Sequence, residues 1–251
     1  MKLSKKVLSL VLCISLITIP LFAAKAERAA RQVEYLTRGG YGIKTDSGVY
    51  LSWRLLGTEP INQTFDIYRN NTIIAEDLDA TNYTDTLGQA GDTYKVVSHG
   101  GEGLENDEFT ALGNDYFDII LDKPETSATD DYTYEFNDAA MGDVDNDGEF
   151  EFIIKWDPTN RQDNSIKGYT GNVLIDCYKQ DGTKLWRVDL GKNIRAGSRY
   201  TQIIVYDFDG DGKAEMALRT APGSKDGNGN YVSAAAKPIQ IDGKGAYEDL
   251  I

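Results

Sequence analysis

The chain has 251 residues, with 26 Lys and Arg against 40 Asp and Glu, one His and a formal net charge of −14. Such acidity excludes nucleic acid as a partner, because phosphate binding rests on a surplus of Lys and Arg. Two cysteines, Cys13 and Cys177, are too few for a disulfide-stapled scaffold.

The chain opens on Lys2, Lys5 and Lys6, then an apolar run from Val7 to Ala24, then Ala24-Lys25-Ala26. A basic start, a short apolar stretch and an A-x-A site predict a secretory signal peptide over residues 1–26. The expected protein is therefore secreted or extracellular, with no membrane span after cleavage. The leader carries four Lys and no acid, so its removal takes the net charge from −14 to −18. It also takes Cys13, leaving Cys177, which alternates with Val173 and Ile175 in "NVLIDCY" and reads as a buried strand position.

Helical periodicity is almost absent beyond the leader. Short runs rich in β-formers recur between Gly, Asn and Asp clusters, the pattern of sandwiches and propellers. Val49, Leu51 and Trp53 alternate in "VYLSWRL", and "TFDIYRN" ends on Asn70-Asn71, a pair able to take positive φ in a two-residue hairpin turn. "TNYTDT" and "DTYKVVS" follow. Trp53 on an early strand and Tyr94 on a late one predict an immunoglobulin- or fibronectin-like β-sandwich over residues 31–113. Asp122–Asp131, "DKPETSATDD", is a polar linker or long loop within a second domain running from 114 to 251.

That second domain repeats one acidic pattern. "DVDNDGEFE" (Asp143 to Glu151) and "DFDGDGKAE" (Asp207 to Glu215) both place acids at positions 1, 3, 5 and 9 and Gly at position 6. Carboxylates this close repel one another unless a cation lies between them, and an all-oxygen cage suits Ca2+. The expected metal ligands are Asp143, Asp145, Asp147 and Glu151 in one loop, and Asp207, Asp209, Asp211 and Glu215 in the other. An EF-hand is excluded, since position 12 holds Ile154 and Leu218 instead of Glu and the flanks are strand-like. Each loop is expected to join two antiparallel strands. The alternative is a metal-free Asp-Gly turn, which explains one copy more readily than two with the same ligand spacing. A third patch, Asp226-Gly-Asn228-Gly-Asn230, repeats the spacing with weaker ligands and reads first as a Gly/Asn turn.

Between the acidic loops, "GNVLIDCYKQDGTKLWRVDLG" predicts two strands about an Asp181-Gly182 turn. Successive hairpins at this spacing suggest propeller blades. The stretch from 114 to 251 suffices for only the first of them, so the chain reads as a fragment of a longer protein.

Asn137–Gly227, with "KWDPTN", "YTGNVLIDCYK" and "LGKNIRAG", resembles the start of the propeller of family 11 rhamnogalacturonan lyases. "GGYGIKTDSGVYLSWRLLGTE" and "FDIYRN" likewise resemble the small β-sandwich domain that precedes it. The fold class is thus all-β, a β-sandwich followed by the first blades of a calcium-stabilised propeller that is eight-bladed in the family. The resemblance implies a Ca2+ cofactor and a pectic polysaccharide partner, rhamnogalacturonan I, whose rhamnose–galacturonate bond is cut by β-elimination. It also places Asn137 and Asp157 at the substrate cleft, although a turn role for Asn137 and a calcium-ligand or turn-cap role for Asp157 fit the same residue types. Asp157 is expected directly after a strand, and the nearby Lys155 and Arg195 on the surface. The residues of proton abstraction, an Arg and a Lys in the resemblance, are expected beyond residue 251, which makes the chain alone catalytically silent. Arg199 stands where a His is usual in the resemblance, leaving any site role there in doubt. The rival function is a non-catalytic, calcium-binding FG-GAP-like propeller that binds glycan or cell-surface partners.

Overall fold

The structure, a computed structural model, describes residues 36–57, 59–99, 107–163, 165–166, 168–197 and 199–233. The signal peptide expected over residues 1–26 and the last residues of the chain lie outside the described residues. Among the described residues there are thirteen strands and no helix, and so no helix long and apolar enough to cross a membrane. The described residues are all-β, built from four antiparallel sheets.

Seven strands precede residue 113. They are β1 (Tyr41–Thr45), β2 (Gly48–Ser52), β3 (Phe65–Arg69), β4 (Thr72–Leu78), β5 (Asn82–Asp85), β6 (Thr93–Ser98) and β7 (Asp107–Thr110). One sheet has the order β1-β2-β5 and the other β4-β3-β6-β7. Alternate residues of both sheets meet in one core of Val49, Leu51, Trp53, Phe65, Ile67, Tyr94 and Val96. The β3–β4 turn needs two consecutive residues in the left-handed region, and Asn70 and Asn71 supply them at φ 47° and 65°. Trp53 lies just past the end of β2, edge-on to Phe65 at 5.5 Å between ring centroids. Burying the Tyr94 ring brings its hydroxyl to Asp85, to which it donates at 2.9 Å, while Arg69 holds the same oxygen at 2.7 Å.

A four-stranded sheet follows in simple order, β11-β10-β9-β8. Its strands are β8 (Tyr134–Gly142), β9 (Glu151–Pro158), β10 (Leu174–Tyr178) and β11 (Lys184–Asp189). Two central strands covered on both faces explain the near-continuous burial of β9 and β10. One face packs Ile153, Ile175 and Cys177 with Leu190, Ile194 and Ala196; the other packs Ile154, Trp156, Leu174 and Tyr178. The β10–β11 turn uses Gly182 at φ 87°. Residues 113–133 form no strand, yet Ile119 and Leu121 pack on the second face and Asp122 accepts from Arg187. A short pair, β12 (Ile204–Tyr206) and β13 (Glu215–Ala217), completes the described fold.

Candidate functional site

Both acidic runs link paired antiparallel strands, the first joining β8 to β9 and the second β12 to β13. Most of their internal hydrogen bonds correspond, except that the position-5 N–H donates to Asp143 in the first loop and to Asp209 in the second. Asp143 Oδ1 accepts from Asn146 N at 2.6 Å and Oδ2 from Gly148 N at 2.9 Å; Asp207 accepts from Gly210 N at 2.6 Å and Gly212 N at 3.0 Å. The ninth residue reaches back in each loop, Glu151 Oε2 to Val144 N and Glu215 Oε2 to Phe208 N, both at 2.9 Å. Position 6 is left-handed in both, at φ 88° for Gly148 and 93° for Gly212. Position 4 is too, at 66° for Asn146 and 82° for Gly210, which explains why Asn and Gly stand there. The loops are neighbours, since Ala214 N donates to Asp143 O at 2.6 Å.

These bonds bring together Asp143, Asp145 and Glu151, and likewise Asp207, Asp209 and Glu215, with one ligand oxygen of each within 4.8 Å of the others. The position-5 acids are not in these trios. Asp147 accepts from Glu149 N at 2.9 Å and Asp211 from Lys213 N at 2.9 Å. Burial pushes the Glu151 carboxyl above its usual range, and the charges of Asp145 and Asp147 push the same way. An all-oxygen, carboxylate donor set with backbone turned inward fits a hard divalent cation, and either trio could hold a metal ion. Asp226, by contrast, spends Oδ1 on Asn228 N and Asn230 N, closing a turn on its own backbone.

One contact at the first loop has no counterpart in its sequence pattern. Lys179, which follows β10, places Nζ 2.5 Å from Asp145 Oδ2, 2.6 Å from Asp147 Oδ2 and 3.9 Å from Glu151 Oε1. Its hydrogen bond is the first cause holding the Asp147 carboxyl below its usual range. Gln180 adds a bond from Nε2 to Glu149 Oε2 at 3.0 Å.

Asp157 lies inside β9, paired with Glu135, and not after the strand as its Asp-Pro sequence suggests. It is 0% exposed and neither carboxylate oxygen has a hydrogen-bond partner. Burial raises its pKa, opposed chiefly by Lys155, whose Nζ is 3.7 Å from Oδ1. Lys155 is itself buried and donates to Tyr200 O at 2.6 Å. Arg195 is buried as well, donating to the carbonyls of Gln162, Asp163, Ile166 and Gly168. Both cations, expected on the surface, are buried instead: Lys155 projects from a strand covered on both faces, Arg195 is held in the segment between β11 and β12, and backbone carbonyls replace their water. Arg199 is exposed. Asn137 is the extra residue of a bulge in β8, between Phe136 opposite Trp156 and Asp138 opposite Lys155. A bulge re-aims a side chain beside a site, and this one stands at the Lys155–Asp157 end of β9.

The sequence model of the Rhamnogalacturonan I lyases beta-sheet domain matches residues 31–111, and that of the Rhamnogalacturonan lyase family 11, C-terminal domain, matches 116–244. Two Bacillus subtilis (strain 168) proteins are similar. The rhamnogalacturonan endolyase YesW is 52% identical over 217 residues, 84% of this chain and 35% of its own length. The rhamnogalacturonan exolyase YesX is 49% identical over 209 residues, 80% of this chain and 34% of its own length. The crystal structure of YesW matches with a TM-score of 0.77 at 50% identity, over 85% of this chain and 38% of that one. The Bacillus licheniformis rhamnogalacturonan lyase PL11 matches with a TM-score of 0.75 at 48% identity, over 85% of this chain and 38% of that one. The chain therefore spans about a third of the length of the relatives it matches. With a family model matching more than half of its residues and about half of the aligned positions identical to two lyases, the chain belongs to rhamnogalacturonan lyase family 11.

Proposed function

We propose that the full protein carrying this chain is a secreted, calcium-dependent lyase of rhamnogalacturonan I. The observation that carries the reading is the match, in order along residues 31–244, to the two domains that such lyases contain. In this reading β1–β7 form a fibronectin-like sandwich. The four strands β8–β11 form the first blade of a propeller and β12–β13 begin the next. The simple four-stranded order of β8–β11, with a loop carbonyl of one hairpin bonded to the next, supports it. Residues 1–26 direct export. Calcium, when bound in the two acidic loops, offsets their clustered carboxylates and fixes the hairpins of neighbouring blades.

The reaction removes the C5 proton of galacturonate, moves its electron pair into a C4–C5 double bond and breaks the C4–O4 bond. The departing oxygen leaves on rhamnose and takes up a proton. This chain's part is binding and orientation. In this reading Asp157 borders the substrate cleft, buried with both oxygens unspent and the Lys155 ammonium 3.7 Å from one of them. The Asn137 amide on the bulge orients the sugar. The base lies in the part of the protein not contained in this chain.

The test is an assay of the full protein on rhamnogalacturonan I with Ca2+, reading the ultraviolet absorbance of the new unsaturated uronate. No absorbance rejects the lyase reading in favour of a non-catalytic calcium propeller. The chain by itself is expected to turn over at least about 100-fold more slowly, the usual cost of a missing general base. Activity within about tenfold of the full protein would place the base here instead.

A further inference from the structure

We propose that Lys179 is a tethered cation for the first acidic loop, holding it in shape when calcium is absent and leaving when calcium enters, whereas the second loop depends on the ion. This rests on the reading that both loops bind calcium. The loops share their acid spacing, their left-handed positions and most of their backbone-to-carboxylate bonds. What distinguishes them comes from outside. The Lys179 ammonium touches two carboxylates of the first loop at 2.5 and 2.6 Å and stands 3.9 Å from a third. Calcium needs its oxygens at about 2.3–2.6 Å, so ion and ammonium compete for the same oxygens and repel each other.

The lysine is delivered by a rigid part. Lys179 N donates to Thr183 O at 2.9 Å and Gly182 N to Lys179 O at 3.0 Å, closing the β10–β11 turn from which the side chain reaches. Gln180 fastens the same turn to Glu149. The side chain is 29% exposed, which leaves it a route to water when displaced. Near the second loop, no Lys or Arg among the described residues pairs with Asp207, Asp209, Asp211 or Glu215. Lys213 occupies position 7, where the backbone carbonyl is the ligating group, and forms no ion pair with its loop. Unshielded carboxylates at this spacing repel, so the order of the second loop is coupled to the metal.

The experiment is hydrogen–deuterium exchange with mass spectrometry on the full protein, following peptides over Asp143–Glu151 and Asp207–Glu215 from excess chelator through a calcium titration. In chelator the second loop should exchange at least about tenfold faster than with calcium, and the first should change by less than about threefold. The calcium midpoint of the first loop should lie about tenfold above that of the second, reflecting the competing charge. Lys179→Met should make the first loop chelator-sensitive and lower its calcium midpoint by about tenfold, leaving the second loop unmoved. Lys179→Gln, which keeps a donor but no charge, answers the same question if the Met variant is not recovered folded. Equal loss of protection in both loops, with neither variant changing the first, overturns the proposal alone. A lack of response to calcium in both loops overturns the calcium reading, and the proposal with it.

Discussion

Arg187 grips Asp176 with both arms of its guanidinium, Nε to Oδ1 and Nη2 to Oδ2, each at 2.6 Å, across the β10–β11 register that pairs the two residues. Asp176 is fully buried and also accepts from Trp156 Nε1 at 2.9 Å and from the Tyr178 hydroxyl at 3.0 Å. The clamp therefore ties three of the four strands of this sheet to one carboxylate. Arg187→Met leaves that charge buried with two neutral donors, which should cost about 3 kcal/mol. The measurement is urea unfolding, where the midpoint should fall with an unchanged slope. Arg187→Lys should recover less than half of the loss, because a point charge cannot reproduce the fork. A wild-type midpoint for Arg187→Met would show that the clamp adds nothing.

Removing calcium should lower the melting temperature, since an ion bound only to the folded state stabilises it by mass action. Asp143→Ala and Asp207→Ala should each reproduce part of that shift, because each acid organises its loop through two or more backbone N–H groups. If Lys179 substitutes for the ion, Asp207→Ala accounts for the larger share of the chelator effect. An unchanged melting curve in excess chelator would reduce both loops to plain turns.

Local chemistry was the legible part of this molecule. The Asn70-Asn71 and Asp181-Gly182 turns, the strand-flanked acidic loops and the buried Cys177 all follow from neighbours within a few residues. Position 4 of the acidic loops went unread, although Asn146 and Gly210 are residue types that tolerate left-handed backbone. What else escaped depends on distant partners. Lys179 meets Asp147 across 32 residues of sequence, and Arg195 meets the Asp163 carbonyl across 32. Alternation along β9 suggests an outward Lys155, and only the sheet's second cover reveals that no outward face exists there. Asp157 escaped for the same reason, because its position in the strand follows from pairing with Glu135.

That pairing leads to a last prediction, about pH. Burial raises the Asp157 carboxyl above its unfolded value, with Lys155 offsetting only part of the effect. The folded state then holds a proton that the unfolded chain has released, so stability falls as pH rises from about 4, the unfolded carboxylate value, through the folded one. Asp157→Asn removes the ionisation and should stabilise the protein at pH 7. In a chain of this size about 1 kcal/mol would appear as roughly 2–4 °C in melting temperature. The gain should shrink as pH falls towards 4, where both proteins carry a neutral side chain. In the full protein the same substitution should weaken lyase activity, since it alters the charge of a group bordering the proposed cleft, giving a trade of function for stability. A gain independent of pH would trace the effect to packing, and a loss of stability at pH 7 would show that Lys155 more than offsets the burial.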